Sequence, residues 1–549
     1  MALTEIIVKY NGDIASAARS AGGTAEIISS NYAIFSIDSD NIPMLYGYTE
    51  IEDIEVSKNL YLAASYNLIS SCIRSVAETQ SYGLTGLGVI TAIIDSGIDY
   101  THPAFRNSNG TTRILSIWDQ SVSGNPPAGF TRGSEYTREQ INQALMTGND
   151  SLVPTKDFSG HGTAVAGIAA GNGLGSSGET MGVAPESDMI VVKAGRSGND
   201  FFAQSTEIMR ALRYIIDKSR FFNKPVAINM SFGMNSGSHN GDSLFEEFIS
   251  EISNEWKCSI IIPTGNEGSA GHHYHTLLSS NQMYEIDFFT ASGIENFYLS
   301  LWKDFADSFS VELIFPDGSS SGIIGIENQI KTVRSSNIAL TVLYGQPSRY
   351  SVSQEIYFLV RSSENTFINS GLWKLKIFTS TIVNGNINIW LPTLEEVTEK
   401  TYFSNPDVNN TMTIPSTALK VIRVSGYNDR IGSIANFSGV GNRNYAMPIP
   451  DIAAPCVNVL SAKSGGGFDA FTGTSFAAPF VTGSAALMMQ WGIADGNSPF
   501  FYGERIRAFL RLGAKRRPNI SYPNASFGYG TLCLSDTVSY MERYKWGSI

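Results

Sequence analysis

Five short runs, GVITAIID, MIVVKA, VAINMSF, CSIIIP and ALKVIRVSG, are apolar almost without interruption and close on Gly or a polar turn. A strand with one wet face alternates; a strand covered on both faces does not, so such runs call for a parallel sheet with helices on either side. The intervening stretches STEIMRALRYIIDKS and DSLFEEFISEISNEWK carry apolar residues at helical spacing. The expected class is α/β, in which chemistry gathers at the carboxyl ends of the strands. Asp, Asn and Gly collect there in this chain.

The buried-strand pattern starts at Gly88, stops near His275 and resumes at ALKVIRVSG. Between them, YEIDFF, FYLSLW, FSVELIF, IALTVLY, EIYFLV, LWKLKIF and INIWL alternate with period two, which predicts an antiparallel sandwich or jelly roll inserted in the larger domain. The first sixty or so residues read as βαββαβ: EIIVKY, DIASAARSAG, AEIIS, YAIFSID, NIPMLYGY and EIEDIEV. The expected domains are 1–62, an insertion over 276–396, and a body made of 63–275 and 397–549. A chain of 549 residues is long enough for all three.

The net charge of −12 and the absence of a Lys/Arg block exclude a nucleic-acid surface. Phe476 to Ala494 carries no charge, but its Pro, Thr, Ser, Gln and Gly favour a buried helix over a membrane span. MALTEIIVKYNGD lacks the apolar core of a secretory signal, so cytoplasmic synthesis is expected. Cys72, Cys258, Cys456 and Cys533 form no CxxC pair and read as core thiols of a reducing compartment. GHHYH has no carboxylate or Cys at useful spacing, so His272, His273 and His275 read as a solvated loop and not a metal site. Trp302, Trp373 and Trp390 read as sandwich core more readily than as a sugar platform.

Three motifs carry chemistry. Asp95 ends a strand in AIIDSGIDYTHP, His161 sits among small residues in DFSGHGTAVAGIAAG, and Ser475 precedes an apolar helix in TGTSFAAPFVTG. A hydroxyl nucleophile needs a base, and the base needs a carboxylate to hold its tautomer. Taken singly, the three read as a strand end, a helix entry and a helix cap. Taken together, in the order Asp, His, Ser on an α/β chain, they read as a catalytic triad.

The sequences DSG, HGT and GTSFAAP resemble the D-[ST]-G, H-G-T and G-T-S-x-A-x-P motifs of the subtilisin-like serine proteases, the subtilase family. That resemblance implies an endopeptidase with Ser475 as nucleophile, His161 as general base, Asp95 as its orienting group and Asn266, in PTGNEG, as an oxyanion donor beside the Ser475 N–H. It also implies that Ser231, Phe232 and Gly233 of NMSFG, with Gly265, bind an extended polypeptide substrate, flanked on the other side by MIVVKAGRSG. Ala164 stands where many relatives carry a second His, and NGLGSSGET departs from the calcium loop of secreted members. No metal or cofactor is therefore implied.

By the same resemblance the first domain is a propeptide that assists folding, is cleaved somewhere from Val56 to Ser65, and stays bound as an inhibitor. The missing signal and the sandwich between Asn266 and Ser475 resemble the Csp-type clostridial proteases, which act in spore germination by activating the precursor of a cortex-degrading hydrolase. A spore association follows from that likeness. The rival reading is a protease-shaped scaffold or sensor that binds a partner without hydrolysis; a complete Asp, His, Ser and Asn set speaks against it.

Overall fold

The five apolar runs join one nine-stranded sheet in a computed structural model describing residues 3–27, 31–56, 63–77, 82–176, 180–195, 203–327, 330–335, 338–347, 351–362, 366–398, 400–442 and 448–544. In spatial order its strands are Ser433–Ile434, Ile422–Asn428, Cys258–Pro263, Val226–Met230, Ile90–Asp95, Asp188–Lys193, Ile114–Asp119 and Ser134–Thr137, with Ile452–Pro455 beside Ile422–Asn428. The inner pairings are all parallel; the outermost strand at either edge is antiparallel.

Both faces of this sheet are covered. Ile93, Val191, Ala227, Ile261 and Val424 pack with the helices His161–Ala170 and Ala478–Met489. Their strand neighbours Ile94, Ile190, Val192, Ile228 and Ile260 face the helices Ser205–Phe222 and Leu244–Ile252. Successive side chains point to opposite faces, so a double-covered strand must be apolar at every position. Helix Ala478–Met489 is buried along its whole length, and no helix among the described residues is long and apolar enough to cross a membrane. The uncharged run is thus a core helix.

The chain divides into two compact units, Met1–Leu62 and Ala63–Ile549. In the first, Thr24–Ile27, Tyr32–Asp38, Leu3–Tyr10 and Ile51–Val56 form an antiparallel sheet in that order, packed on helix Ile14–Ser20 through Ile6, Val8, Phe35, Ile14 and Ala18. The Asp13 carboxylate caps that helix by accepting from the Ser16 N–H at 3.2 Å. NIPMLYGY lies in the 3-10 helix Ser39–Gly47, with Pro43 inside it. Of the expected cleavage window, residues 57–62 lie outside the described residues.

The seven period-two runs are all strands. They fall in a six-stranded and a four-stranded antiparallel sheet, which share one apolar core that includes Phe288, Phe358 and Trp373. The edge strands His273–Leu277 and Ile330–Ser335 and the short Tyr402–Phe403 complete them. Trp373 and Trp390 are buried; Trp302 is half-buried, its indole N–H donating to Ser300 Oγ at 2.8 Å.

Two expectations are corrected. Cys72 and Cys533 are joined in a disulfide across 461 residues of sequence, a pairing that local spacing does not reveal. Cys258 and Cys456 are buried thiols, and burial pushes the Cys258 thiol up to about 12. GHHYH is not a solvated loop: His272 and His273 are each 1% exposed. The motif enters the inserted sandwich, and pairing of His273 with Trp390 carries it inside.

Candidate active site

Asp95 is the last residue of the central strand Ile90–Asp95 and is 2% exposed. Its Oδ1 lies 2.7 Å from His161 Nδ1 and also accepts from the Ser96 N–H at 2.8 Å. A carboxylate at Nδ1 holds the proton there and leaves Nε2 as the basic nitrogen. The imidazole is 33% exposed, and its Nε2 has no hydrogen-bond partner among the described residues. Burial pulls the His161 pKa down, but the charge and hydrogen bond of Asp95, with the fields of Asp157 and Glu395, raise it above the ordinary value.

Small and hydroxylated residues bring these two elements together. A Cβ on Gly162 would fall 2.2 Å from Gly97 O and 3.1 Å from Asp95 Cβ, so only glycine lets the helix start touch the strand end. The Gly162 N–H donates to Ser96 Oγ at 3.0 Å, and Thr163 Oγ1 accepts from the Asp99 N–H at 2.9 Å. Asp157, four residues before His161, has its Oδ2 on the Thr163 N–H and hydroxyl, and its Oδ1 on the Gly160 N–H and the Ser96 hydroxyl at 3.0 and 2.8 Å. A buried carboxylate thus does the capping that the helix's own N-cap, Gly160, cannot do.

Ser475 lies in the single 3-10 turn Thr474–Phe476, ahead of helix Ala478–Met489. It does not cap that helix, and its half-buried hydroxyl has no hydrogen-bond partner among the described residues. Phe476 stacks obliquely on the His161 ring with centroids 5.3 Å apart, so the serine turn abuts the imidazole. Asn266 Oδ1 accepts from both the N–H and the hydroxyl of Thr474 at 3.0 Å. With its oxygen engaged, the Asn266 carboxamide is left with its NH2 donors beside the serine turn, Nδ2 being 3.8 Å from where a Gly473 Cβ would stand. Gly473, at φ 147°, makes the sharp entry to that turn.

The other predicted residues lie where two neighbouring strands of the sheet end. Val226–Met230 runs into Ser231, Phe232 and Gly233, and Cys258–Pro263 into Thr264, Gly265 and Asn266. Ser231 Oγ accepts from Asn229 Nδ2 at 2.8 Å, and Phe232 packs on the core below. Thr413 is wedged between them: a Cβ on Gly233 or on Gly265 would each come within 2.5 Å of Thr413 Oγ1. The Thr413 N–H donates to Thr264 O at 3.0 Å, and Ile414 pairs with Met234. Of MIVVKAGRSG, residues 196–198 lie outside the described residues.

Asp157 and Thr413 escaped the reading of the sequence. The turn-forming series Asp-x-Ser-Gly was a signal for the first; nothing near Thr413 in sequence marked the second. Among the described residues no group of three or more His, Cys, Asp or Glu stands ready to hold a metal ion.

Residues 86–313 and 377–530 match the subtilase family, and residues 3–58 match the Csp protease B prodomain. The fold is similar to that of the CspB protease of Clostridium perfringens, with a TM-score of 0.80 and 36% identity, covering 87% of this chain and 98% of that one. The chain is 24% identical to the PII-type proteinase of Lacticaseibacillus paracasei over 82% of its own length and 25% of the relative's. It is 30% identical to the subtilisin of Bacillus sp. (strain TA39) over 36% of its own length and 38% of that protein's. The chain thus spans only a quarter of the length of the proteinase and well under half that of the subtilisin. With the match covering most of its body, and a domain matching the Csp protease B prodomain ahead of it, the chain belongs to the subtilase family and is similar to the Csp proteases within it.

Proposed function

We propose that this chain is a serine endopeptidase made as a self-processing zymogen. Ser475 Oγ attacks the scissile carbonyl carbon while His161 Nε2 takes its proton. Asp95 holds the ring and stabilises the imidazolium, which then gives the proton to the leaving amine. Water, activated by the same imidazole, releases the acyl group from Ser475. The Asn266 NH2 and the Ser475 N–H stabilise the oxyanion, a place where loss of one donor costs about 10²–10³ in kcat, a figure measured on subtilisin. The observation that carries this reading is the Asp95–His161 pair, its Nε2 unpartnered among the described residues and its ring against Phe476, the neighbour of a serine that serves no cap.

Substrate would lie extended against Ser231–Gly233, its side chain before the scissile bond entering between Gly233 and Gly265. Thr413 closes that slot from below, so the preferred residue there is small. Likeness of both units to Csp proteins supports a substrate that is the precursor of a spore-cortex hydrolase, and a propeptide that stays associated after cleavage. The test is purification of the full chain beside Ser475→Ala. A chain shortened at its N-terminus in the parent and intact in the variant is expected; an intact parent that also leaves peptides uncut supports a scaffold.

A further inference from the structure

Directly after Asn266, the Glu267 carboxylate is 2% exposed and fully engaged. Its Oε2 lies 2.6 Å from His272 Nδ1 and accepts from Asn235 Nδ2 at 3.0 Å, while Oε1 accepts from the Leu394 N–H at 3.0 Å. The other nitrogen of His272, Nε2, lies 2.8 Å from Thr401 O. Both ring nitrogens therefore lie against oxygen atoms, and the ring is held at both ends.

His272, Leu394 and Thr401 come from the two ends of the insertion, and Asn235 from the segment after strand Val226–Met230. His272 stands where the backbone enters the inserted sandwich, and the Leu391 N–H donates to His272 O at 2.9 Å where it leaves. Leu394 and Thr401 belong to the return segment. Asn235 Nδ2 also donates to Leu391 O at 3.1 Å, and His239 and His273 stack on the two faces of Trp390 at 4.1 and 4.8 Å. None of these groups touches the Asp95–His161 pair. His272, Asn235 and Leu394 converge on the residue that follows the oxyanion amide.

We infer that Glu267, clamped by His272, Asn235 and the Leu394 N–H, is a positioning residue through which the inserted sandwich holds Asn266 in its donor orientation. The inference rests on the reading of Asn266 as oxyanion donor. Among the described residues the Asn266 carboxamide hydrogen-bonds only to Thr474, so the setting of its backbone depends on what fixes the neighbouring residue. An oxyanion donor displaced by a few tenths of an ångström loses effect in the transition state and little in substrate binding. A buried carboxylate held by three partners is rigid enough to prevent that displacement.

The test is a double-mutant cycle on the self-processed full-length protein, hydrolysing a tetrapeptide p-nitroanilide with alanine before the scissile bond. Glu267→Gln places an NH2 against the donors of His272 and Asn235. It is expected to lower kcat about tenfold or more with KM within about twofold. Asn266→Ala is expected to lower kcat by about 10²–10³, and adding Glu267→Gln to it is expected to cost nothing further. Two losses that multiply, or a Glu267→Gln enzyme with parental kcat, would overturn the inference while leaving the Asn266 reading intact. A parental kcat for Asn266→Ala would instead remove that reading and the inference with it. Should Glu267→Gln fail to fold, Asn235→Ser, which removes one hydrogen bond from the carboxylate and one from Leu391 O, is expected to give a smaller kcat loss that likewise vanishes beside Asn266→Ala; multiplication there overturns the inference equally.

Discussion

Asp157 grips Thr163 twice, accepting from its backbone N–H at 2.8 Å and from its hydroxyl at 2.6 Å, and thereby sets the first turn of the helix that begins at His161. Asp157→Ala would leave the Thr163 N–H buried without a partner, at a cost of about 1–3 kcal/mol, and the half-buried Gly160 N–H without its acceptor. Thermal unfolding should show a clear loss of stability. Peptide hydrolysis should show a fall in kcat larger than any change in KM, because the displaced group is the general base.

The raised pKa of His161 has a direction that pH profiles can read. The imidazolium cannot accept the serine proton, so kcat/KM should rise with pH through an inflection above the ordinary histidine value of about 6.5. Glu395→Gln removes one of the negative fields that raise it and should shift the inflection to lower pH. For stability the sign is opposite: the folded state binds the proton more tightly. The contribution is therefore full below the unfolded-state pKa and is lost as pH rises through the folded-state value.

Thr413 predicts the side chain preferred before the scissile bond. The parent should hydrolyse alanyl and seryl substrates far better than phenylalanyl or leucyl ones. Thr413→Gly empties the space between Gly233 and Gly265. Each methylene accommodated is worth about 1–3 kcal/mol, so the phenylalanyl-to-alanyl ratio of kcat/KM should rise at least about tenfold. An unchanged ratio would contradict a slot closed by Thr413.

The Cys72–Cys533 disulfide ties the start of the second unit to the loop before its last helix, Leu534–Arg543. Cross-linking so long a loop constrains the unfolded chain, typically by about 2–4 kcal/mol. Cys72→Ser, or reduction of the parent, should lower the midpoint of denaturation, with little effect on kcat because the bond makes no contact with His161 or Ser475. Equal midpoints in oxidised and reduced protein would contradict this.

Legibility in the sequence followed the range of the interactions. The central strands were plain because burial on both faces leaves a mark on every residue of Ile90–Asp95 or Cys258–Pro263. Asp95, His161 and Ser475 were plain because each motif carries its own local requirements: Gly162 for contact with the strand end, Gly473 for the turn, Thr163 for the loop. What stayed hidden depends on partners distant in sequence. Cys72 needs Cys533, His272 needs Thr401, and Thr413 acquires its meaning only between Gly233 and Gly265. The strands Ile114–Asp119 and Ser134–Thr137 hid for another reason, since polar, turn-rich segments flank them on both sides.

The central claim is that Ser475 is a nucleophile activated by His161, and covalent labelling by a fluorophosphonate, mapped by peptide mass spectrometry, tests it most directly. The account predicts one phosphonylated residue, Ser475, with labelling abolished in Ser475→Ala and slowed at least about a hundredfold in His161→Ala, within the range by which a positioned base accelerates proton transfer. Propeptide-free parent protein that takes up no label, or carries it on another residue, would contradict the account.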